Sequence, residues 1–232
     1  MSSPDAPVGP PVVGWTPRPW PPGSVLAARA CVLAPLAPAH AEALWTAYEG
    51  TDDAHWAYLP WVRPGDLAAT ERLVAGVVAD ETSVSYAVIV EGVATGLLSL
   101  MRIDPGNGVI EIGGICLGTP LQRTVASTQA QRLLMGHVFD DLGYRRLEWK
   151  CDALNARSRA AAERLGYTFE GVFRQAVVTK GRSRDTAWFS VLDGEWLFVR
   201  DRLDAWLEPS NFDPMGGQRA RLREARWLTT RL

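Results

Sequence analysis

Apolar and polar positions along this chain fall into two rhythms. Short apolar or alternating runs, read as strands, occupy 25–36, 83–90, 94–103, 109–118, 146–153, 167–181 and 184–192. Between them, helical spacing predicts five helices. Pro38 opens a short one to about Tyr48, and Asp66 is a plausible N-cap for another to about Asp80, with Leu67, Val74, Val77 and Val78 as its apolar positions. The others cover about 124–142, 155–166 with Gly166 as the stop, and Asp193 to about Trp206. Residues 49–65 hold Gly50, Pro60, Pro64 and Gly65 and read as a loop, and Asp104-Pro105-Gly106-Asn107-Gly108 is a turn. The element order predicts a mixed α/β fold with one right-handed crossover at its centre.

Both ends break the rhythm. Eight of the 16 prolines fall within residues 1–24, which read as an extended Pro/Trp-rich arm ahead of a body at 25–207. Trp15 and Trp20 in the arm fit docking on the body, docking on a partner, or an inert tail. The tail at 208–232 is basic, and Leu222, Trp227 and Leu228 would form a narrow stripe on a short helix. A frayed end, an acidic partner, or docking on this or another subunit all fit that composition.

Composition narrows the classes of function. Of 232 residues, 47% are apolar and 22% charged, which suits a globular body. With 24 basic against 26 acidic residues the formal charge is −2, so no nucleic-acid partner is expected. No run approaches the ~18 apolar residues of a membrane span, and no secretory signal precedes the body. A cytoplasmic protein that touches no membrane is the expectation. Cys31, Cys116 and Cys151 match no disulfide or zinc spacing, and His40, His55 and His137 are scattered, so no metal is expected.

Chemistry concentrates in two stretches. In EIGGICLGTPLQRTVAST (111–128) an apolar strand meets a Gly-Thr-Pro turn and then a helix whose first turn is small and polar. Free N–H groups and the positive dipole end at such a helix start suit a pyrophosphate, and Arg123 could add charge. In LEWKCDALNARSRAAAERLGYTFEG (147–171) a strand leads into a helix opening at Asn155, itself a good N-cap, with Ser158 three residues on.

Together these stretches resemble the GNAT superfamily of acyl-CoA-dependent N-acyltransferases, and most closely its RimJ/RimL-like branch, over about residues 25–200. Asn155, Ser158, Glu163, Leu165, Gly166 and Tyr167 match the second motif. In the first, Gln122 fits, but Val125 and Ser127 stand where the family has glycine and a small residue. The resemblance implies a GNAT fold: a central, mostly antiparallel mixed sheet splayed at the fourth strand and flanked by helices. It implies acetyl-CoA as co-substrate, with pantetheine against the main chains of Ile115 and Leu117. Pyrophosphate would lie in the turn formed by Gln122, Arg123, Thr124, Val125, Ala126, Ser127 and Thr128, and Asn155 and Ser158 would stand by the pantetheine arm.

Amide formation from a thioester needs a neutral amine and a proton for the departing thiolate. Glu111, eleven residues before Gln122, matches the general-base glutamate of the histone-acetyltransferase branch; pairing with a neighbouring arginine such as Arg102 is its other reading. Ala162 stands where many members carry a tyrosine acid, which leaves Ser158 for the sulfur, or as a second helix-start cap. An acyl-enzyme on Cys116 or Cys151 lacks an activating histidine nearby in sequence. The acceptor pocket implied for the family draws on the 48–66 loop and the last strands. Asp52, Asp53, Trp56, Trp61 and Trp188 are its candidates, suiting a cationic or aromatic amine. The acceptor the resemblance implies is a small-molecule or peptide amine (a protein N-terminus, an amino acid, a peptide-like metabolite or an amine-bearing antibiotic), and a homodimer stays open. Because of Val125 and Ala162, a catalytically silent coenzyme-sensing or protein-binding module is the competing reading.

Overall fold

The computed structural model describes residues 8–222. One eight-stranded sheet forms the centre. Its strands are β1 (Leu26–Ala27), β2 (Val32–Pro35), β3 (Val84–Val90), β4 (Val93–Asp104), β5 (Val109–Leu117), β6 (Arg146–Asp152), β7 (Thr168–Thr179) and β8 (Arg182–Leu192). They lie in the order β1-β2-β3-β4-β5-β6-β8-β7, and every neighbouring pair is antiparallel except β5 with β6. The parallel pair follows from the sequence: a helix, not a tight turn, joins those strands. The helices are α1 (Ala41–Glu49), α2 (Asp53–Trp56), α3 (Leu67–Val78), α4 (Val125–Gly136), α5 (Ala156–Leu165) and α6 (Asp193–Leu207). A wider turn over His137–Asp141 prolongs α4, with the Leu142 amide donating to the His137 carbonyl.

Two apolar cores sit on opposite faces of the sheet. On the back, α4, α5 and α6 bury residues such as Ile110, Ile112, Leu134, Leu147, Phe189 and Leu203. On the front, α1 and α3 pack Leu44, Tyr48, Val74 and Val77 against Ala87, Leu97 and Cys116. Alternation along a strand sends Leu147, Trp149 and Cys151 of β6 to the back, and therefore Glu148, Lys150 and Asp152 to the front. The front core draws no described residue from β6, β7 or β8.

The structure corrects two expectations. The run at 25–36 is not one strand but the two arms of a hairpin, β1 and β2, so the strand expected fourth is β5. Distant groups impose that turn: the Ala30 amide donates to Gln129 Oε1, the Cys31 thiol to the Ala126 carbonyl, and Arg29 to the Leu207 carbonyl. The 49–65 loop contains α2, capped by Asp52 Oδ1 accepting from the His55 amide at 2.9 Å.

The N-terminal arm lies along the body from residue 8 without regular structure. Trp15 Nε1 donates to the Gly106 carbonyl, and its ring sits 4.4 Å from the Arg18 guanidinium and 5.8 Å from that of Arg145. Tyr144 donates to the Pro19 carbonyl, while Trp20 is half-exposed. At the other end Leu222 is buried in the back core. The remainder of the expected basic stripe, with Trp227 and Leu228, lies outside the described residues.

Candidate active site

The parallel pairing of β5 with β6 lasts three rungs, Val109 with Arg146, Ile110 with Leu147 and Glu111 with Glu148. Beyond Glu111 the two strands part. A bulge in β5 accompanies the parting: its register on β4 slips between Ser99 opposite Gly113 and Leu97 opposite Cys116. Gly114, at φ +57, takes the left-handed conformation this bulge requires, against Ser99 and Trp61. At Gly113, by contrast, a Cβ would meet the Met101 side chain, which is flexible enough to shift. A cleft of about 1050 Å³ opens through the fork, with Glu111 at its apex.

Two helix starts face this fork. After β5 the chain turns sharply at Gly118, whose amide donates to the Thr95 carbonyl and which leaves no room for a Cβ between Ala47 and Thr95. Gln122 Nε2 donates to the Leu117 carbonyl at 3.0 Å, and Thr124 Oγ1 caps α4 by accepting from the Ser127 amide at 3.1 Å. The Val125 and Ala126 amides, first in the helix, have no carbonyl one turn back. Val125 is helical, and its side chain packs on the back core and is not among the residues lining the cleft. Across the fork, Asn155 Oδ1 caps α5 at the Ser158 amide, and Ser158 Oγ accepts the Trp149 indole proton at 3.0 Å.

At the apex, Glu111 is 5% exposed, and its Oε2 lies 3.1 Å from Lys150 Nζ and 3.3 Å from Arg102 Nε. These are ion-pair contacts off the angles of a hydrogen bond. Lys150 is buried too, 2.6 Å from Glu148 Oε2 and 3.8 Å from the centre of the Trp188 ring. Burial raises the Glu111 carboxyl above the ordinary glutamate range, outweighing the two cations that pull it down.

Of the residues singled out from sequence, Glu111, Ile115, Leu117, Gln122, Ser127, Thr128, Asn155, Ser158, Trp61 and Trp188 line the cleft. Thr124, Val125 and Ala126 form the start of α4 behind it, and Arg123 is exposed at φ +61. Three acceptor-pocket candidates are engaged elsewhere. Asp52 is the α2 cap, Asp53 faces solvent beside Arg63, and Trp56 is a core residue whose indole donates to Thr51. Their sequence neighbours His55, Tyr58 and Leu59 line the cleft instead.

Sequence reading missed Lys150, although its alternation with Trp149 on β6 was there to be read. It also missed a contact across 61 residues: His55 Nε2 lies 3.6 Å from Cys116 Sγ, and its Nδ1 lies 3.5 Å from Gln122 Nε2. Burial lowers the His55 pKa and pushes the Cys116 thiol up to about 12, so this is a neutral pair with no thiolate to attack an acyl group. Among the described residues no cluster of three metal-ligating side chains occurs, and no helix is long and apolar enough to cross a membrane.

Comparison with known proteins places this geometry. Residues 31–168 match the acetyltransferase (GNAT) domain model. A crystal structure of a GCN5-related N-acetyltransferase from Brucella melitensis is similar at TM-score 0.89 and 45% identity, over 91% of this chain and 97% of that one. A structure described as a probable acetyltransferase (GNAT family) from Chromobacterium violaceum ATCC 12472 follows at TM-score 0.76 and 41% identity, over 84% and 99%. The "Putative ribosomal N-acetyltransferase YdaF" of Bacillus subtilis (strain 168) is 29% identical over 118 residues. That match spans 51% of this chain and 64% of the relative, a little under two thirds of its length. With the forked sheet and the family match over more than half its length, the chain belongs to the GNAT acetyltransferase family of acyl-CoA N-acyltransferases.

Proposed function

We propose that this protein transfers an acetyl group from acetyl-CoA to a primary amine, by direct attack within a ternary complex. The observation that carries the reading is the fork between β5 and β6, with a buried carboxylate at its apex and two capped helix starts at its mouth. Acetyl-CoA would supply the activated thioester, and the residues at hand fit it. Past Glu111 the β5 main chain at Ile115 and Leu117 has no β6 partner, and although the Leu117 carbonyl already accepts from Gln122, this length of strand is open to pairing with an amide-bearing arm. The Val125 and Ala126 amides, with the dipole behind them, suit a pyrophosphate. The Val125 side chain packs on the back core and does not line the cleft.

The remaining steps fall to side chains. Glu111, whose pKa burial raises, is placed to take a proton from an incoming ammonium, directly or through water. Lys150 and Arg102 oppose the effect of burial on its pKa and fix its orientation. Ser158, accepting from the Trp149 indole, retains its own hydroxyl proton for a departing sulfur. Cys151 lies beside the same hydroxyl, and burial keeps that thiol protonated. The protein N-terminus is the preferred acceptor, on the similarity to a relative named as a ribosomal N-acetyltransferase.

A thiol-release assay with acetyl-CoA and a panel of amines, run beside calorimetry with CoA, tests this. Turnover with at least one amine and saturable CoA binding are expected. CoA bound tightly with no thiol released for any amine would leave a sensing module instead, and no CoA binding at all would remove both readings.

A further inference from the structure

β8 carries a row of unmatched polar groups on the open front of the sheet. Arg184, Thr186 and Trp188 occupy alternate positions, so they share one face, and all three line the cleft. Arg184 Nε, Thr186 Oγ1 and Trp188 Nε1 are shielded from solvent yet meet no hydrogen-bond partner among the described residues. Native proteins seldom leave such groups unmatched, because each carries an uncompensated loss of hydration.

Their neighbours show what matching looks like. Two residues beyond Trp188 on β8, Ser190 Oγ donates to Glu170 at 2.7 Å. On the adjoining strand, Arg146 pairs with both Glu148 and Glu170. Arg184, by contrast, makes no ion pair among the described residues, although a part-buried guanidinium calls for one.

The unmatched groups have a common sense. Guanidinium and indole N–H groups only donate, and a hydroxyl donates readily. Whatever completes them offers oxygens. Alternate residues of a strand repeat at roughly 6.6–6.8 Å, the same period at which an extended peptide presents carbonyls to one side. The row also has a direction. Trp188 adjoins Lys150, which contacts Glu111, whereas Arg184 stands four residues, or about 13 Å, farther along β8.

Building on the transferase reading, we infer that β8 reads the acceptor as an extended peptide with an acidic residue downstream of its amine. The amine lies at Glu111, backbone carbonyls accept from Trp188 and Thr186, and a carboxylate at about the third or fourth residue pairs with Arg184. A free amino acid carries amine and carboxylate on one carbon and cannot span from Glu111 to Arg184.

The test uses pentapeptides identical except for Glu, Gln or Lys at the third and fourth positions, with the wild-type protein, Arg184→Gln and Arg184→Glu. Turnover is measured for each, together with the KM for acetyl-CoA and calorimetric binding of each peptide with CoA present. Wild type is expected to favour the Glu peptides at least ~10-fold over Gln in kcat/KM, as a charge-assisted pair implies. Arg184→Gln should erase the preference, Arg184→Glu should turn it toward Lys, and the acetyl-CoA KM should stay put. Equal use of Glu and Gln peptides, equal use of a free amino acid, or a raised acetyl-CoA KM in Arg184→Gln each overturns the inference. Peptide binding with an Arg184-dependent acidic preference but no product would sink the transferase reading and leave this one standing.

Discussion

The front of the sheet is two surfaces. Over β2–β5 it is paved by α1 and α3 with Leu44, Tyr48, Val74 and Val77, where burial of hydrocarbon stabilises the fold. Over β6, β8 and β7 the front core draws on none of the described residues, and the same strands carry Glu148, Lys150, Thr186 and Trp188 there. The back of those strands is conventional core, with Leu147, Trp149, Ala187, Phe189 and Val191. Alternation thus lets one strand serve packing on one side and chemistry on the other, and the boundary falls where β5 leaves β6. Substitutions on the paved side should act on stability, and those on the open side on rate.

The largest separation should come from Glu111→Gln. Removing a general base is expected to lower kcat by about 10²–10⁴-fold with the melting temperature little changed. A protein that melts far lower, or one that keeps its rate, would erase the distinction. The reciprocal case is Gly118→Ala, on the paved side of the boundary. A Cβ there would lie 2.6 Å from Ala47 Cβ and 2.7 Å from the Ala47 and Thr95 carbonyls. Denaturant unfolding should show a loss of about 1–3 kcal/mol, as overpacking does elsewhere.

Lys150→Met sharpens the comparison through pH. Glu111 must be deprotonated to act, so the rate falls as pH drops through its already raised pKa. Withdrawing a cation at 3.1 Å favours the protonated form. The acid limb of kcat/KM should therefore move to higher pH, by at least ~1 unit. A limb that stays in place would mean that another group sets it. The smallest effect belongs to Thr124→Ala, which removes the α4 cap and should cost about 1 kcal/mol. Calorimetry would show whether CoA affinity falls with it.

Legibility in the sequence followed the range of the determining contacts. The α5 start was plain, because Asn155 caps an amide three residues away, and so was its stop at Gly166, φ +109, in the left-handed turn that glycine favours. The 25–36 run misleads because its turn is held by Gln129 and Leu207, 99 and 178 residues distant from the groups they bind, and no local signal records them. Asp52 suggests a pocket acid from sequence, but its side chain is spent on the α2 start, accepting from a backbone amide three residues on. In β8 the alternation of Arg184, Thr186 and Trp188 with Ala187 and Phe189 is visible in the letters. Which face lies bare is not, since that depends on where α1 and α3 end in space.

Three rungs alone join β5 to β6, and the two panels of the sheet meet nowhere else along their strands. Anything that stitches itself to the loose length of β5 while leaning on α5 becomes mortar between the panels. Occupancy and mechanical cohesion are then one variable: the filled protein should resist proteases and exchange its β5 amides slowly, and the empty one should yield first along that seam.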